Sequence, residues 1–411
     1  MTAEIISVGT ELLLGNILNT NAQYLSRELA ELGITVQRES TIGDNQGRLA
    51  DFVNEAKNRC DLLVFTGGLG PTADDLTKET VAACFGDTLT FDPDEWQKIV
   101  DFFTRTGRET TPNNRKQAMV PVHGHKVVNH HGTAPGAWFE QDGHCAVLMP
   151  GVPHEMKAMW EESVRPLLLA RQSCALHSLT LRVLGGESNL EYRVRALLEN
   201  QNPTAAIYCK TGECEIRITA RAQNDAEAQT MCRAYAKKFY DLLGDAVYDE
   251  DVAGLEETVV HTLQANGLTI ATAESCTGGM ISGAVTSVSG SSAVIELGVC
   301  SYSNRIKHEI LHVPAEVLKQ FTEYSVECAA EMAKGVMELS GADYGVSTTG
   351  VAGPTGGSAE HPVGEVCIAV SGKNGCRSER FLFAQGSADR ELIRALAAEK
   401  ALSMLLCEIK K

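Results

Sequence analysis

Three times along this chain a short apolar run of strand-forming residues stops in a glycine-rich turn, and that pairing limits the folds open to it. Leu62–Phe65 runs into Thr66-Gly67-Gly68-Leu69-Gly70. The stretch LTIATA runs into Ala273-Glu274-Ser275-Cys276-Thr277-Gly278-Gly279, and YGVS into Thr348-Thr349-Gly350-Val351-Ala352-Gly353. A strand apolar on both faces belongs inside a parallel sheet. Helical periodicity between such strands implies an α/β sheet with right-handed crossovers. Ligands of these sheets bind beyond the carboxyl ends of the strands, which is where the glycines fall.

The elements around the turns follow from periodicity. Ala22, Leu25, Leu29 and Leu32 mark one face of a helix that Gly33 ends, and Thr35–Thr41 alternates like a strand. Leu49, Phe52, Val53 and Ala56 recur at helical spacing, a helix is expected from about Thr77, and a helical stretch from about His154 to Leu169 closes the pattern. Residues 175–250 read differently: a strand, a helix near Asn189–Leu198, a hairpin around Lys210-Thr211-Gly212, and a helix from about Ala226. In the second hairpin strand Ile216, Ile218 and Ala220 alternate with polar residues, so one face is expected to be wet. Asp249-Glu250-Asp251 reads as a hinge. From Leu255 a second α/β pattern begins and ends in a helix carrying Leu392, Ile393, Leu396, Ala397 and Leu402. The expected fold class is α/β: two α/β domains, 1–170 and 253–411, joined by a small α+β module at 171–252.

Composition enters as an exclusion. With 36 Lys+Arg against 53 Asp+Glu the net charge is 36 − 53 = −17, which argues against binding nucleic acid or anionic lipid, whose phosphates need a basic surface. A small phosphorylated ligand needs only a local site. No apolar run approaches the roughly 20 residues that span a bilayer, so no membrane partner is expected. The N-terminus has no basic n-region, so a cytoplasmic protein is expected. The 13 cysteines are scattered without a zinc spacing, even at Cys209 and Cys214, and read as mostly buried thiols in a reducing compartment.

Within Thr66–Thr77 the glycines let the backbone approach a ligand and aim N–H groups at an anion. No Gly-Lys-Ser/Thr follows, so this is no Walker A loop. Asp74 and Asp75 offer carboxylates for a divalent cation bridging phosphates; the alternative is an aspartate capping the next helix. Gly43-Asp44-Asn45 is a second acidic loop expected on the same edge. The stretches SVGTELLLGNILNTNA, GDN and TGGLGPTADDLT resemble the N-terminal domain of the CinA (competence/damage-inducible protein A) family. That domain is similar to the molybdopterin-binding fold of molybdenum cofactor biosynthesis proteins. The resemblance implies hydrolysis of ADP-ribose at its pyrophosphate with a divalent metal (Mg, Mn or Co) and potassium. It makes Asp44 and Asp75, with Asp74 beside them, metal or catalytic carboxylates. It sets Gly67, Gly68, Gly70 and Thr72 around the phosphates, and Glu11, Asn19 and Asn21 at the mouth. Pro150-Gly151-Val152-Pro153 reads as a turn.

In the second turn Ser275 falls at a strand-to-helix junction, where free N–H groups favour an oxyanion or phosphate. A serine needs a base to become a nucleophile; the plainer alternative is a helix N-cap. Tyr302 and Lys307 stand five apart where a strand enters a helix, and Arg390 and Arg394 lie early in the last helix. In order, AESCTGG, YSN-x-x-K and TGVAGPTGG resemble the CinA C-terminal domain, the nicotinamide-nucleotide amidohydrolase (PncC-type NMN deamidase) family, over about residues 253–410. The resemblance implies metal-free hydrolysis of nicotinamide mononucleotide (NMN) to nicotinate mononucleotide and ammonia. Ser275 would be the nucleophile and Lys307 the base, its pKa lowered by burial or nearby positive charge. Tyr302 would relay the proton or hold Lys307, and amides of Thr277, Gly278 and Gly279 would meet the oxyanion. Thr349 and Arg390, ahead of Arg394, would grip phosphate or ribose. Cys276 ranks below Ser275, because a thiol nucleophile relies on a histidine or a helix-lowered pKa and the nearest histidine is His308. Phe321–Val326 departs from the family, which more often has a Gly-Ala-Val-Ser-like stretch there; Glu323 and Tyr324 are bulkier. The expectation is a bifunctional pyridine-nucleotide salvage enzyme, homodimeric, with small nucleotides as partners. The rivals are an adaptor holding a nucleotide or pterin without turnover and, on fold analogy, a molybdopterin transferase.

Overall fold

The computed structural model describes residues 1–171, 174–384 and 389–411. Met1–His177 with Arg221–Ala228 make one compact unit, and Ser178–Ala220 with Gln229–Lys411 make a second.

In the first unit, strand β1 (Thr2–Val8) lies between β2 (Thr35–Ile42) and β3 (Leu62–Thr66), parallel to both. The chain leaves β1 to build one side of the sheet and returns to build the other. The carboxyl end of β1 is therefore a topological switch point, where α/β sheets open a crevice for ligands. A short ribbon, β4 (Leu89–Phe91) with β5 (Met119–Pro121), stands apart. Strands β6 (His125–Val127), β7 (Gly136–Gln141) and β8 (His144–Met149) complete a six-stranded sheet in the order β2-β1-β3-β8-β7-β6. Its last two pairings are antiparallel, so the sheet is mixed, which the strand–helix alternation does not foretell. Ile5, Val64 and Val147 pack on one face with Leu25, Leu29 and Trp160. Their neighbours Ile6, Leu63, Phe65 and Leu148 pack on the other with Leu49, Val53 and Val81. That period-two division is what an all-apolar strand between two helical layers requires. The helical run 153–169 carries a wide π-type turn at Trp160–Val164, just before Pro166, whose ring cannot donate to the ladder.

Strands β9 (Ala175–Leu184), β10 (Thr204–Cys209), β11 (Glu213–Ala222) and β12 (Val247–Glu250), with helices Glu187–Leu198 and Asp225–Leu243, form a βαββαβ module ordered β10-β11-β9-β12, the split-βαβ arrangement. Ile216, Ile218 and Ala220 are buried, while Arg217 and Thr219 are half-buried. The expected hinge at Asp249-Glu250-Asp251 is corrected. Asp249 and Glu250 belong to β12, which pairs with β9, and Asp251 exchanges backbone and side-chain hydrogen bonds with Thr180. An acidic run looks solvated in sequence, but Asp249 accepts from Thr258 Oγ1 at 2.7 Å and each acid has a fixed place.

The second unit repeats the switch. Strand β13 (Ile270–Glu274) is parallel to β14 (Ile295–Cys300) on one side and β15 (Tyr344–Gly350) on the other. The antiparallel strands β16 (Glu365–Gly372) and β17 (Gly375–Leu382) extend β15. Ile270, Val346 and Ile368 pack with Ile393, Ala397 and Leu405 of the last helix. Ala271 and Ala273 face Met332 and Val336 of helix Val326–Ser340. Of the cysteines, Cys60, Cys145, Cys214, Cys232, Cys276, Cys328 and Cys367 are buried, and none of these is in a disulfide. Among the described residues no helix is long and apolar enough to cross a membrane.

Candidate active sites

Beyond the carboxyl end of β1 lies a cavity of about 630 Å³ walled by Gly67, Gly68, Gly70, Asp74, Asp75, Asp44 and Glu11, with Pro150–Pro153 opposite. The glycines are required by space. Gly67 has φ +104°, and a Cβ there would stand 2.1 Å from the Val8 carbonyl oxygen; at Gly68 it would stand 2.0 Å from Thr77 Oγ1. The expected turn at Pro150–Pro153 forms a cavity wall, and buried Asn21 fixes it by donating from Nδ2 to the Gly151 carbonyl and to Thr66 Oγ1, both at 2.8 Å.

The acidic side chains converge, but each has local work. Asp44 accepts from the Thr10 N–H at 2.9 Å and from Thr10 Oγ1 at 2.8 Å. Asp75 accepts from the Thr72 N–H at 2.9 Å and from the Thr72 hydroxyl. Thr72 thus anchors Asp75 and is not among the residues that wall the cavity. Asp74 is fully exposed, and a hydrogen bond from Thr72 holds its carboxyl below the usual range. Asn19 and Asn21 also lie outside the wall; Asn19 caps helix Thr20–Glu31. Neither Asp74 nor Asp75 caps helix Thr77–Cys84, whose N-terminus receives no side-chain bond. Among the described residues no group of three His, Cys, Asp or Glu is placed to hold a metal by itself. Asp44 and Asp75 each keep a second carboxylate oxygen. Such a pair suits a cation like Mg²⁺, which takes one or two carboxylates and completes its shell with phosphate oxygens and water.

Beyond the carboxyl end of β13 lies a second cavity of about 450 Å³, whose wall includes Ser275, Cys276, Tyr302, Asn304, Lys307, Glu323, Tyr324 and Arg390. Lys307 Nζ lies 3.1 Å from Ser275 Oγ and donates to the carbonyls of Ser301 at 3.0 Å and Tyr302 at 3.4 Å. Lys307 is 1% exposed. Burial pulls its pKa below the ordinary lysine value, against the opposing pull of Cys328, Glu323 and Cys276. It reaches the serine because helix Asn304–Glu309, capped by Ser303, turns it inward one turn after β14 ends.

Ser275 is not a helix N-cap, because the helix starts only at Met280. Fully buried Glu274 does the capping. Its carboxylate accepts from the N–H groups of Gly279 at 2.9 Å, Ile281 at 3.1 Å and Ser282 at 2.9 Å, and from the Thr277 hydroxyl at 2.7 Å. Gly279 N–H is thus committed, which removes it from the expected oxyanion donors. Thr277, Gly278 and Gly279 lie outside the cavity wall. So does Thr349, whose hydroxyl donates to the Glu323 carbonyl at 2.6 Å. The Tyr302 ring is exposed and its hydroxyl accepts from Arg390 Nη2 at 3.4 Å, so only its carbonyl holds Lys307. Arg390 also donates to the Gly353 carbonyl at 2.6 Å, while Arg394 ties down the carbonyls of Cys276 and Thr277. Burial pushes the Cys276 thiol up to about 11, and the His308 ring bonds the Val313 carbonyl. A thiolate at Cys276 is disfavoured.

Sequence reasoning passed over Glu274 and Asn304. An acid ending an all-apolar strand just before a glycine turn was the signal for Glu274. Glu323 and Tyr324 were noticed only as bulk.

Residues 252–409 match the CinA C-terminal domain, 4–170 a probable molybdopterin binding domain, and 178–248 the damage-inducible protein CinA KH domain. The chain is 45% identical over 409 residues to a CinA-like protein of Kosmotoga olearia, covering 98% of each. It is 45% identical over 410 residues to a CinA-like protein of Dictyoglomus turgidum, again covering 98% of each. A solved structure of competence/damage inducible protein CihA from Agrobacterium tumefaciens is 38% identical, covering 38% of this chain and 97% of that one, with a TM-score of 0.36. Residues 178–248 contain no G-x-x-G, the loop with which KH folds clamp a nucleic-acid backbone.

Proposed function

The chain belongs to the CinA family, and on that premise we propose that it is a bifunctional pyridine-nucleotide salvage enzyme. The C-terminal site hydrolyses the amide of NMN to nicotinate mononucleotide and ammonia. The observation carrying this reading is the buried Lys307 Nζ, 3.1 Å from Ser275 Oγ. A neutral amine suits that shell: two N–H groups serve the carbonyls of Ser301 and Tyr302, leaving the lone pair for the serine proton. Ser275 Oγ passes its proton to Nζ and bonds to the amide carbon. Collapse breaks the C–N bond, and Lys307 returns the proton to the departing ammonia. Water repeats the sequence on the ester, releasing the acid and restoring Ser275. Arg390 supplies positive charge for the phosphate. The test is ammonia release from NMN by the wild type and by Ser275→Ala; a silent wild type, or a fully active variant, overturns the reading.

The N-terminal site splits the pyrophosphate of ADP-ribose; Asp44 and Asp75, with Asp74 beside them, would hold a divalent metal (Mg²⁺, Mn²⁺ or Co²⁺), and potassium would be a second cation. The metal supplies charge neutralisation on the phosphates; Gly67, Gly68 and Gly70 supply the close backbone approach. One observation favours a second reading for this half, binding without turnover: Asp44 and Asp75 each already serve a neighbouring threonine. ADP-ribose assays with each of the three metals, on wild type and Asp75→Ala, decide between them. Both activities are assigned to a cytoplasmic homodimer that does not bind nucleic acid.

A further inference from the structure

Among the described residues lining the C-terminal cavity, Glu323 is the one carboxylate, set in a wall that otherwise brings the cations Lys307 and Arg390. Its position is built, not incidental. The Glu323 carbonyl accepts from Thr349 Oγ1 at 2.6 Å, and its Oε2 accepts from Asn304 Nδ2 at 3.2 Å. The preceding Thr322 takes φ +67°, a conformation a β-branched residue rarely adopts. Its hydroxyl accepts from the Tyr324 N–H at 3.2 Å, and its carbonyl accepts from Ser325 Oγ, which also caps helix Val326–Ser340. The strained turn therefore presents Glu323 and Tyr324 together to the cavity. Burial pushes the Glu323 carboxyl up, but its own N–H, Asn304, Tyr324 and the Lys307 charge outweigh this and keep it below the usual range, hence ionised.

A carboxylate close to the amidase base costs something, because it favours the protonated form of Lys307. A ligand with positive charge near its reacting amide would turn that cost into binding. Resting on the NMN reading above, we propose that Glu323, backed by the Tyr324 ring, is a specificity-determining residue. It selects amides carried on a cationic, N-substituted pyridinium ring over uncharged rings of the same shape. A carboxylate and an aromatic face are the two groups that favour an organic cation.

The test compares NMN with its 1,4-dihydro form, which keeps the amide, ribose and phosphate but lacks the ring charge. In the wild type kcat/KM favours NMN by about tenfold or more, as a part-screened charge pair would give. Glu323→Gln lowers that ratio about tenfold, leaving the part that comes from the less electrophilic amide of the dihydro ring, and Glu323→Asp keeps part of the preference. Any change in Lys307 basicity cancels in the ratio, because both amides meet the same base. If Glu323→Gln slows both substrates equally, the residue serves the ribose or the base and the proposal is overturned. Binding to Ser275→Ala, measured by calorimetry for both compounds, separates this from the amidase reading. Preference for NMN that disappears in Ser275→Ala/Glu323→Gln supports the selectivity even if the wild type releases no ammonia. Equal affinity for the two compounds overturns it whatever the turnover. Thermal melting of each variant guards against misfolding.

Discussion

The two cavities stand at equivalent places, each beyond the first strand of its sheet where the chain changes side. They differ in what their polar groups are free to do. At the N-terminal mouth Asp44 and Asp75 are half-buried and each accepts from the backbone of a threonine, so a bound cation and its phosphates would have to complete the site. At the C-terminal mouth the structural work is handed to groups behind the wall. Glu274 caps the helix, Arg394 ties down the Cys276-Thr277 carbonyls, and Thr349 holds the Glu323 loop. Ser275 and Lys307 are thereby left facing each other. A site assembles its chemistry unaided when other residues carry the capping; otherwise it depends on a ligand.

The largest effect should come from breaking the serine–lysine pair. Ser275→Ala and Lys307→Ala are expected to lower ammonia release by about 10³-fold or more each, and together by little more than either alone, since they act as a unit. Lys307→Arg should be as inactive as Lys307→Ala, because a guanidinium does not deprotonate. The pH profile of kcat/KM sharpens the same point. The neutral amine is the active form, so the rate should rise with pH through the folded-state pKa of Lys307, which burial holds below the free lysine value. A limb at or above that free value would contradict a buried base.

Metal removal tests the contrast directly. A chelator should abolish ADP-ribose cleavage and leave ammonia release unchanged. Loss of both activities would break the distinction between the sites.

Stability effects come next. Gly67→Ala forces a Cβ against the Val8 carbonyl at positive φ and should cost about 3 kcal/mol. Gly278→Ala, whose nearest neighbour would be Arg394 Nη2 at 3.4 Å, should cost only about 1 kcal/mol. Urea titration measures both. The smallest effect is expected at the rival nucleophile: Cys276→Ala should change ammonia release by less than about threefold, given a thiol held protonated.

Much of this was legible beforehand because it is local. The apolar runs at Leu62–Thr66 and Ile270–Glu274 are strands, with their glycine turns where periodicity sets them. Asp44 and Asp75 both line one cavity. Misread were places where a partner remote in sequence decides. The acids at Asp249–Asp251 look like a hinge until β9 and Thr180 pair with them. The antiparallel addition of β6 and β7 follows from pairing, which periodicity along one strand does not encode.

By itself, then, the sequence determined the strand–turn–helix units, the glycines and the residue types at two mouths, because backbone preference and apolar period act over a few residues. Tertiary structure alone decided which polar groups are spent and which remain. Lys307, 32 positions from Ser275, becomes a candidate base only when sheet packing buries it and brings its Nζ to that hydroxyl. Burial and hydrogen-bond commitment are properties of the packed whole, and they separate a candidate nucleophile from a cap.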